Sequence, residues 1–139
     1  MTPRTSLALV LALSLFSAAC GDDDGATATA TRIETVAASR AAEIIDGAPE
    51  GLVVLDIRTP EEFAAGHIAG AVNVDYYEAN FRDQLDTLDK GAPYVMYCRS
   101  GNRSSDARGI MEELGFQEVY ELDGGVLSWD QAGYSLTTQ

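Results

Sequence analysis

Basic side chains are scarce in this chain. Nine Lys and Arg face 22 Asp and Glu, and the formal net charge is −13. Nucleic-acid binding needs clustered cations to replace phosphate counterions, so the balance argues against that partner class. It argues equally against attachment to anionic lipid by charge. Histidine occurs once, at His67, and cysteine twice, at Cys20 and Cys98. That stock supplies no Cys/His cluster for a metal. The one long apolar run, Leu7 to Phe16, is too short for an ordinary membrane-spanning helix.

What is present at the amino end has a different use. Arg4 precedes the apolar run, and Ser17-Ala18-Ala19 leads into Cys20. This is the layout of a signal peptide over residues 1–19. It resembles a bacterial lipoprotein signal, which implies a mature chain beginning at Cys20 with lipid on that cysteine. The expected location is then the cell envelope, anchored to the membrane and facing the periplasm or exterior; soluble secretion is the alternative. Residues 20–32 are small, acidic and Thr/Ala-rich, and read as a tether. Residues 33–139 remain for one small folded domain. Within it Cys98 has no cysteine partner, so no disulfide framework can form in one chain. A lone thiol outside the cytoplasm is a liability unless it is buried or useful.

Short apolar runs alternate with helical spacing through the domain. A short strand or lead-in at Ile33 is followed by Ala37, Ala41, Ile44 and Ile45 at helical intervals, closed by Gly47. Leu52–Leu55, Ala71–Val74, Tyr94–Tyr97 and Glu118–Leu122 read as strands. Thr59 and Pro60 open a helix that Gly66 stops. Phe81, Leu85 and Leu88 mark another, ending near Gly91; Arg103 to Leu114 forms a fourth, and a last short one holds Trp129. The alternation predicts an α/β domain with a parallel sheet covered on both faces. Sites in such folds gather beyond the carboxyl ends of the strands, where Asp56, Arg58 and Cys98 fall.

The segment Cys98-Arg99-Ser100-Gly101-Asn102-Arg103-Ser104 joins a buried strand to a helix start. Its backbone N–H groups, with the helix dipole, make an anion-sized nest. Gly101 permits the tight turn. Positive potential there favours thiolate at Cys98, and Arg103 and Arg99 add charge. Such a thiolate can attack phosphorus, which needs a nest holding three free oxygens, or sulfur, which needs room for one added atom.

Three segments now point to one family. They are Leu55–Val74 (LDIRTPEEFAAGHIAGAVNV), Cys98–Ser104 and Leu122–Gly133 (LDGGVLSWDQAG). Together they resemble a single-domain rhodanese. The resemblance implies a five-stranded parallel sheet flanked by helices. It implies a sulfurtransferase in which Cys98 carries sulfur as a persulfide and residues 99–104 bind around it, with Arg103 closing the loop. Asp56 and Arg58 match a supporting pair. Rhodanese-like phosphatases carry five residues between cysteine and arginine; here there are four. The implied donor is a small anionic sulfur compound such as thiosulfate, and the acceptor is cyanide, a thiol or a protein. No cofactor or metal is implied. The alternatives are a non-enzymatic persulfide carrier or protein-binding module and, behind these, a phosphatase or arsenate reductase.

The remaining candidates have simpler readings. Asp56 pairs with an arginine rather than acting directly, because a carboxylate beside the thiolate would oppose ionisation. Arg58 is expected to partner Glu62 or nearby backbone. His67 reads as a hydrogen-bonded loop residue and Trp129 as core. Ser100, Asn102 and Ser104 offer polar contacts around the loop. Tyr76, Tyr77 and Phe81 line an entrance or cover the sheet edge.

Overall fold

A computed structural model of the protein describes residues 30–139. The signal-peptide segment and Cys20 lie outside the described residues. Five strands and five helices alternate: β1 Arg32–Val36, α1 Ala38–Gly47, β2 Val53–Asp56, α2 Pro60–Ala65, β3 Val72–Asn73, α3 Phe81–Asp86, β4 Pro93–Tyr97, α4 Asn102–Glu113, β5 Glu118–Leu122 and α5 Gly125–Gln131. The first strand thus begins at Arg32, one residue inside the segment expected to be tether. No helix among the described residues is long and apolar enough to cross a membrane.

The strands form one sheet in the order β1-β5-β4-β2-β3, and every pairing is parallel. This is the expected five-stranded parallel sheet. Its central strand β4, Pro-Tyr-Val-Met-Tyr, is buried along its whole length, as a strand covered on both faces must be. Pro93 stands at the strand's first residue, where a missing N–H is tolerated.

Two apolar clusters flank the sheet. On one face Ala41 and Ile44 of α1 and Val126 and Trp129 of α5 pack on Val54, Val95, Tyr97, Tyr120 and Leu122. On the other, Phe81 and Leu85 of α3 and Ala107 and Met111 of α4 pack on Leu55, Tyr94, Met96, Cys98 and Val119. Alternation along each strand sends successive side chains to opposite faces. Cys98 therefore belongs to the α3/α4 side, and Tyr97 to the α1/α5 side.

Two helices differ from the periodicity. Ala37 is exposed and precedes α1 as its N-cap, leaving Ala38, Ala41, Ala42 and Ile44 as the buried face. Helix α3 stops at Asp86 rather than near Gly91. Leu88 turns back through its N–H to the Leu85 carbonyl, and keeps its apolar contact from a turn. Trp129 is buried and donates from its indole to the Ser135 carbonyl at 3.2 Å. His67 stacks on Phe63 with ring centres 3.8 Å apart. Its ring nitrogens lie 3.0 Å from the Phe63 carbonyl and 3.3 Å from the Gln139 carbonyl. Both residues hold the structural places expected of them.

Candidate functional site

Cys98 follows the last residue of β4 directly, so the strand delivers its sulfur to the carboxyl edge of the sheet. The chain must then reverse into α4 within three residues. Gly101 makes this possible with φ 97°, a left-handed conformation costly to other residues. The turn brings the Gly101 N–H to 3.1 Å from Cys98 Sγ. The N–H groups of Ser100 and Ser104 also act on the sulfur.

Helix α5 holds this loop from behind. Its free amino-terminal N–H groups need acceptors: Val126 donates to the Cys98 carbonyl at 2.9 Å and Leu127 to the Arg99 carbonyl at 3.1 Å. Tying those carbonyls to α5 fixes the peptide planes of the loop. The approach is so close that only glycine fits at Gly125. A Cβ there would run into the Cys98 carbonyl oxygen and lie 2.7 Å from the carbonyl carbon and oxygen of Arg99.

Cys98 is 1% exposed. Burial alone pushes its thiol up. The Ser104 hydroxyl and the N–H groups of Ser104, Gly101 and Ser100 outweigh this, and the net direction is down. The loop thus eases ionisation of the sulfur despite its burial. Ser104 is fully buried, with Oγ 3.5 Å from the sulfur.

Arg103 projects from the first turn of α4 and forms a two-pronged pair with Glu62 of α2, both contacts at 2.9 Å. Glu62 is held ready by a capping box: its Oε2 accepts from the Thr59 N–H at 3.0 Å, and its own N–H donates to Thr59 Oγ1 at 3.3 Å. The Tyr77 ring lies 5.3 Å from the Arg103 guanidinium. Tyr77 is 67% exposed, and neighbouring Tyr76 donates its hydroxyl to Asp106 at 2.6 Å. Arg103 is therefore a structural bridge from α2 to the start of α4.

The remaining loop positions separate by exposure. Arg99, Ser100 and Asn102 are exposed, and among the described residues their side chains make no hydrogen bond. Asp56 and Arg58 do find each other, through Arg58 Nη2 to Asp56 Oδ2 at 2.6 Å and Nε to both carboxylate oxygens at 3.0 Å. Arg58 also donates to the Gly66 carbonyl at 2.7 Å and lies over the Tyr97 ring. Of the two partners expected for Arg58, nearby backbone is the one it takes; Glu62 is engaged by Thr59 and Arg103 instead. The Asp56–Arg58 pair sits with Tyr97, across the sheet from the Cys98 side chain. It shapes the strand ends rather than touching the sulfur.

By sequence Glu121 of β5 is only a strand residue, yet it is 2% exposed. It accepts from Ser104 Oγ at 2.6 Å and from Thr35 Oγ1 at 2.8 Å. A carboxylate on a strand otherwise buried at Val119, Tyr120 and Leu122 was the available signal.

Comparison with known proteins agrees with this geometry. Residues 37–132 match the model of the Rhodanese-like domain. A relative named thiosulfate sulfurtransferase GlpE, from Ectopseudomonas mendocina (strain ymp), is 40% identical over 89 residues, covering 64% of this chain and 80% of the relative. Its namesake in Pseudomonas fluorescens (strain SBW25) is 42% identical over 80 residues, covering 58% and 72%. Among solved structures, a rhodanese-related protein from Thermoplasma volcanium superposes with TM-score 0.67 at 28% identity, covering 76% of this chain and 99% of that one.

Proposed function

The chain belongs to the rhodanese-like domain family, and from that premise we propose that it is a sulfurtransferase working through a persulfide on Cys98. One observation carries the reading: a cysteine sulfur turned toward the N–H groups of its own loop, with four residues between it and Arg103. The names of its sulfurtransferase relatives support the same chemistry.

The reaction is two nucleophilic displacements at sulfur. Cys98 thiolate attacks the outer sulfur of a donor such as thiosulfate. The Sγ–S bond forms, the donor S–S bond breaks, and sulfite leaves with the electron pair. The loop N–H groups hold the terminal persulfide sulfur. An acceptor such as cyanide, a thiol or a protein cysteine then attacks that sulfur, and the electron pair of the Sγ–S bond returns to Cys98. The four-residue gap leaves the loop small, which favours one added sulfur over a tetrahedral oxyanion and counts against the phosphatase and arsenate reductase readings.

Intact-mass analysis after thiosulfate treatment tests this. One added sulfur on the wild type, equimolar sulfite release, and loss of both on Cys98→Ser are expected. Absence of sulfur uptake from every donor tried, with a partner protein bound equally by Cys98→Ala, would move the reading to a binding module.

The proposal extends to location. Residues 1–20 support lipid attachment at Cys20 and display of the domain in the cell envelope. Membrane-fraction recovery that is lost on Cys20→Ala is the expected result.

A further inference from the structure

Glu121 lies in an unusual setting for a carboxylate. It is 2% exposed, and no Lys, Arg or His side chain forms an ion pair with it among the described residues. Its partners are two hydroxyls. Burying a carboxylate without a cation is costly, so its charge needs another account.

Sheet register shows where this carboxylate points. Glu121 lies beside Thr35 of β1 and beside Met96 of β4. Cys98 stands two residues beyond Met96 on the same face, and α4 lays Ser104 between sulfur and carboxylate. The result is a continuous row: Cys98 Sγ to Ser104 Oγ at 3.5 Å, Ser104 Oγ to Glu121 Oε1 at 2.6 Å, Glu121 Oε2 to Thr35 Oγ1 at 2.8 Å. Thr35 is exposed and ends the row at the surface.

Proton counting constrains this row. A serine hydroxyl has one proton to donate. Around Ser104 stand three acceptors: Glu121, the Gly101 carbonyl at 3.2 Å, and the sulfur once ionised. With Cys98 as thiol, the S–H donates to Ser104 and Ser104 donates to Glu121. With Cys98 as thiolate, Ser104 turns its proton to the sulfur, and Glu121 holds the bond to Ser104 only by carrying a proton itself.

We propose that Glu121 is the proton acceptor for the Cys98 thiol, with Ser104 as the conduit. The inference rests on the sulfurtransferase reading, since it assigns a proton route to that reaction's nucleophile. The S–H bond breaks as a new Oγ–H bond forms, and the original Oγ–H bond breaks as Oε1–H forms. The electron pair stays on sulfur, and no proton is lost to water. The buried row carries one negative charge before and after, so ionising Cys98 adds no charge to the interior.

The charged groups around the row are few. On α4, Arg103 acts on Cys98 and is itself paired with Glu62 of α2. One turn beyond Ser104, Arg108 keeps a buried Nε without a hydrogen-bond partner and makes no ion pair with Glu121. β1 contributes Thr35 and β4 the uncharged Met96, while Asp56 and Arg58 of the β2 end lie on the opposite face.

Infrared spectra of the full chain carrying isotope-labelled glutamate, recorded beside the ultraviolet thiolate signal across pH, test the proposal. The wild type is expected to show a protonated-carboxyl band coexisting with thiolate, and a thiolate signal that rises in two steps, because the pair shares one proton between them. Glu121→Gln is expected to lose the band and titrate in one step. A wild-type thiolate that appears in one step with no protonated-carboxyl band overturns the proposal, whether or not the variant folds. Sulfur uptake is scored separately by mass: two-step titration without sulfur uptake would sink the sulfurtransferase reading and leave the proton pairing standing.

Discussion

Arg103 grips both carboxylate oxygens of Glu62 across 41 positions of sequence, at 2.9 Å each. This clasp joins α2 to the start of α4 and so braces the loop that carries Cys98. Lysine could keep the charge at position 103 but not the planar two-pronged contact.

The clasp gives stability a defined dependence on acid. Hydrogen bonds from Arg103 hold the Glu62 carboxyl down to about 2, aided by Thr59 and opposed by burial. The folded value thus lies below the ordinary one near 4.5. Its contribution is complete above the ordinary value and is lost as pH falls toward the folded one. Thermal melts should show Glu62→Gln less stable than wild type at neutral pH, with the difference closing between about pH 4.5 and about 2.

Ser104→Ala should move thiolate formation at Cys98 to higher pH. The hydroxyl is the largest of the groups that favour the ionised sulfur, and burial opposes them. Iodoacetamide alkylation rates measured against pH would show the shift. An unchanged profile would assign the effect to the loop N–H groups alone.

Gly125→Ala should destabilise the whole domain. The left-handed backbone at φ 58° costs a non-glycine residue about 1–3 kcal/mol, and the added Cβ would also push on Arg99. Denaturant melts would report the loss. Activity per folded molecule should fall too, because the displaced peptide is the one that orients the loop.

Asp56→Ala separates stability from chemistry. It strands Arg58, whose side chain is 6% exposed. Breaking a buried pair from one side typically costs about 3–5 kcal/mol. Sulfur transfer per folded molecule should persist, because the pair faces away from the sulfur. A loss of turnover without a loss of stability would contradict the placement.

The residues read correctly from sequence share a physical property: their neighbours along the chain decide their role. The Cys98–Ser104 turn, the Thr59 cap and the buried run of β4 are local, and local spacing states them. Glu121 and Glu62 were not legible in that way. Glu121 gains its meaning from Thr35, 86 positions earlier, and that contact depends on β1 lying beside β5. Strand order is a property of how helices cross over the sheet, and alternation alone does not state it. Arg58 shows the converse. Glu62 and nearby backbone were both open to it, and the fold chooses the backbone of Gly66 and the carboxylate of Asp56, because the capping box turns Glu62 toward Thr59 and Arg103.

The adjacency of β1 and β5 also governs when the domain can come together. Among the described residues β1 stands at one margin of the sheet, and β5 is its sole strand neighbour. A nascent chain emerging amino end first therefore displays β1 with nothing to bind it until the segment near Glu118 has been made. Docking of the first strand must be a late event in biogenesis, and a chain cut short before that point would expose the lonely margins of an unfinished sheet to other molecules.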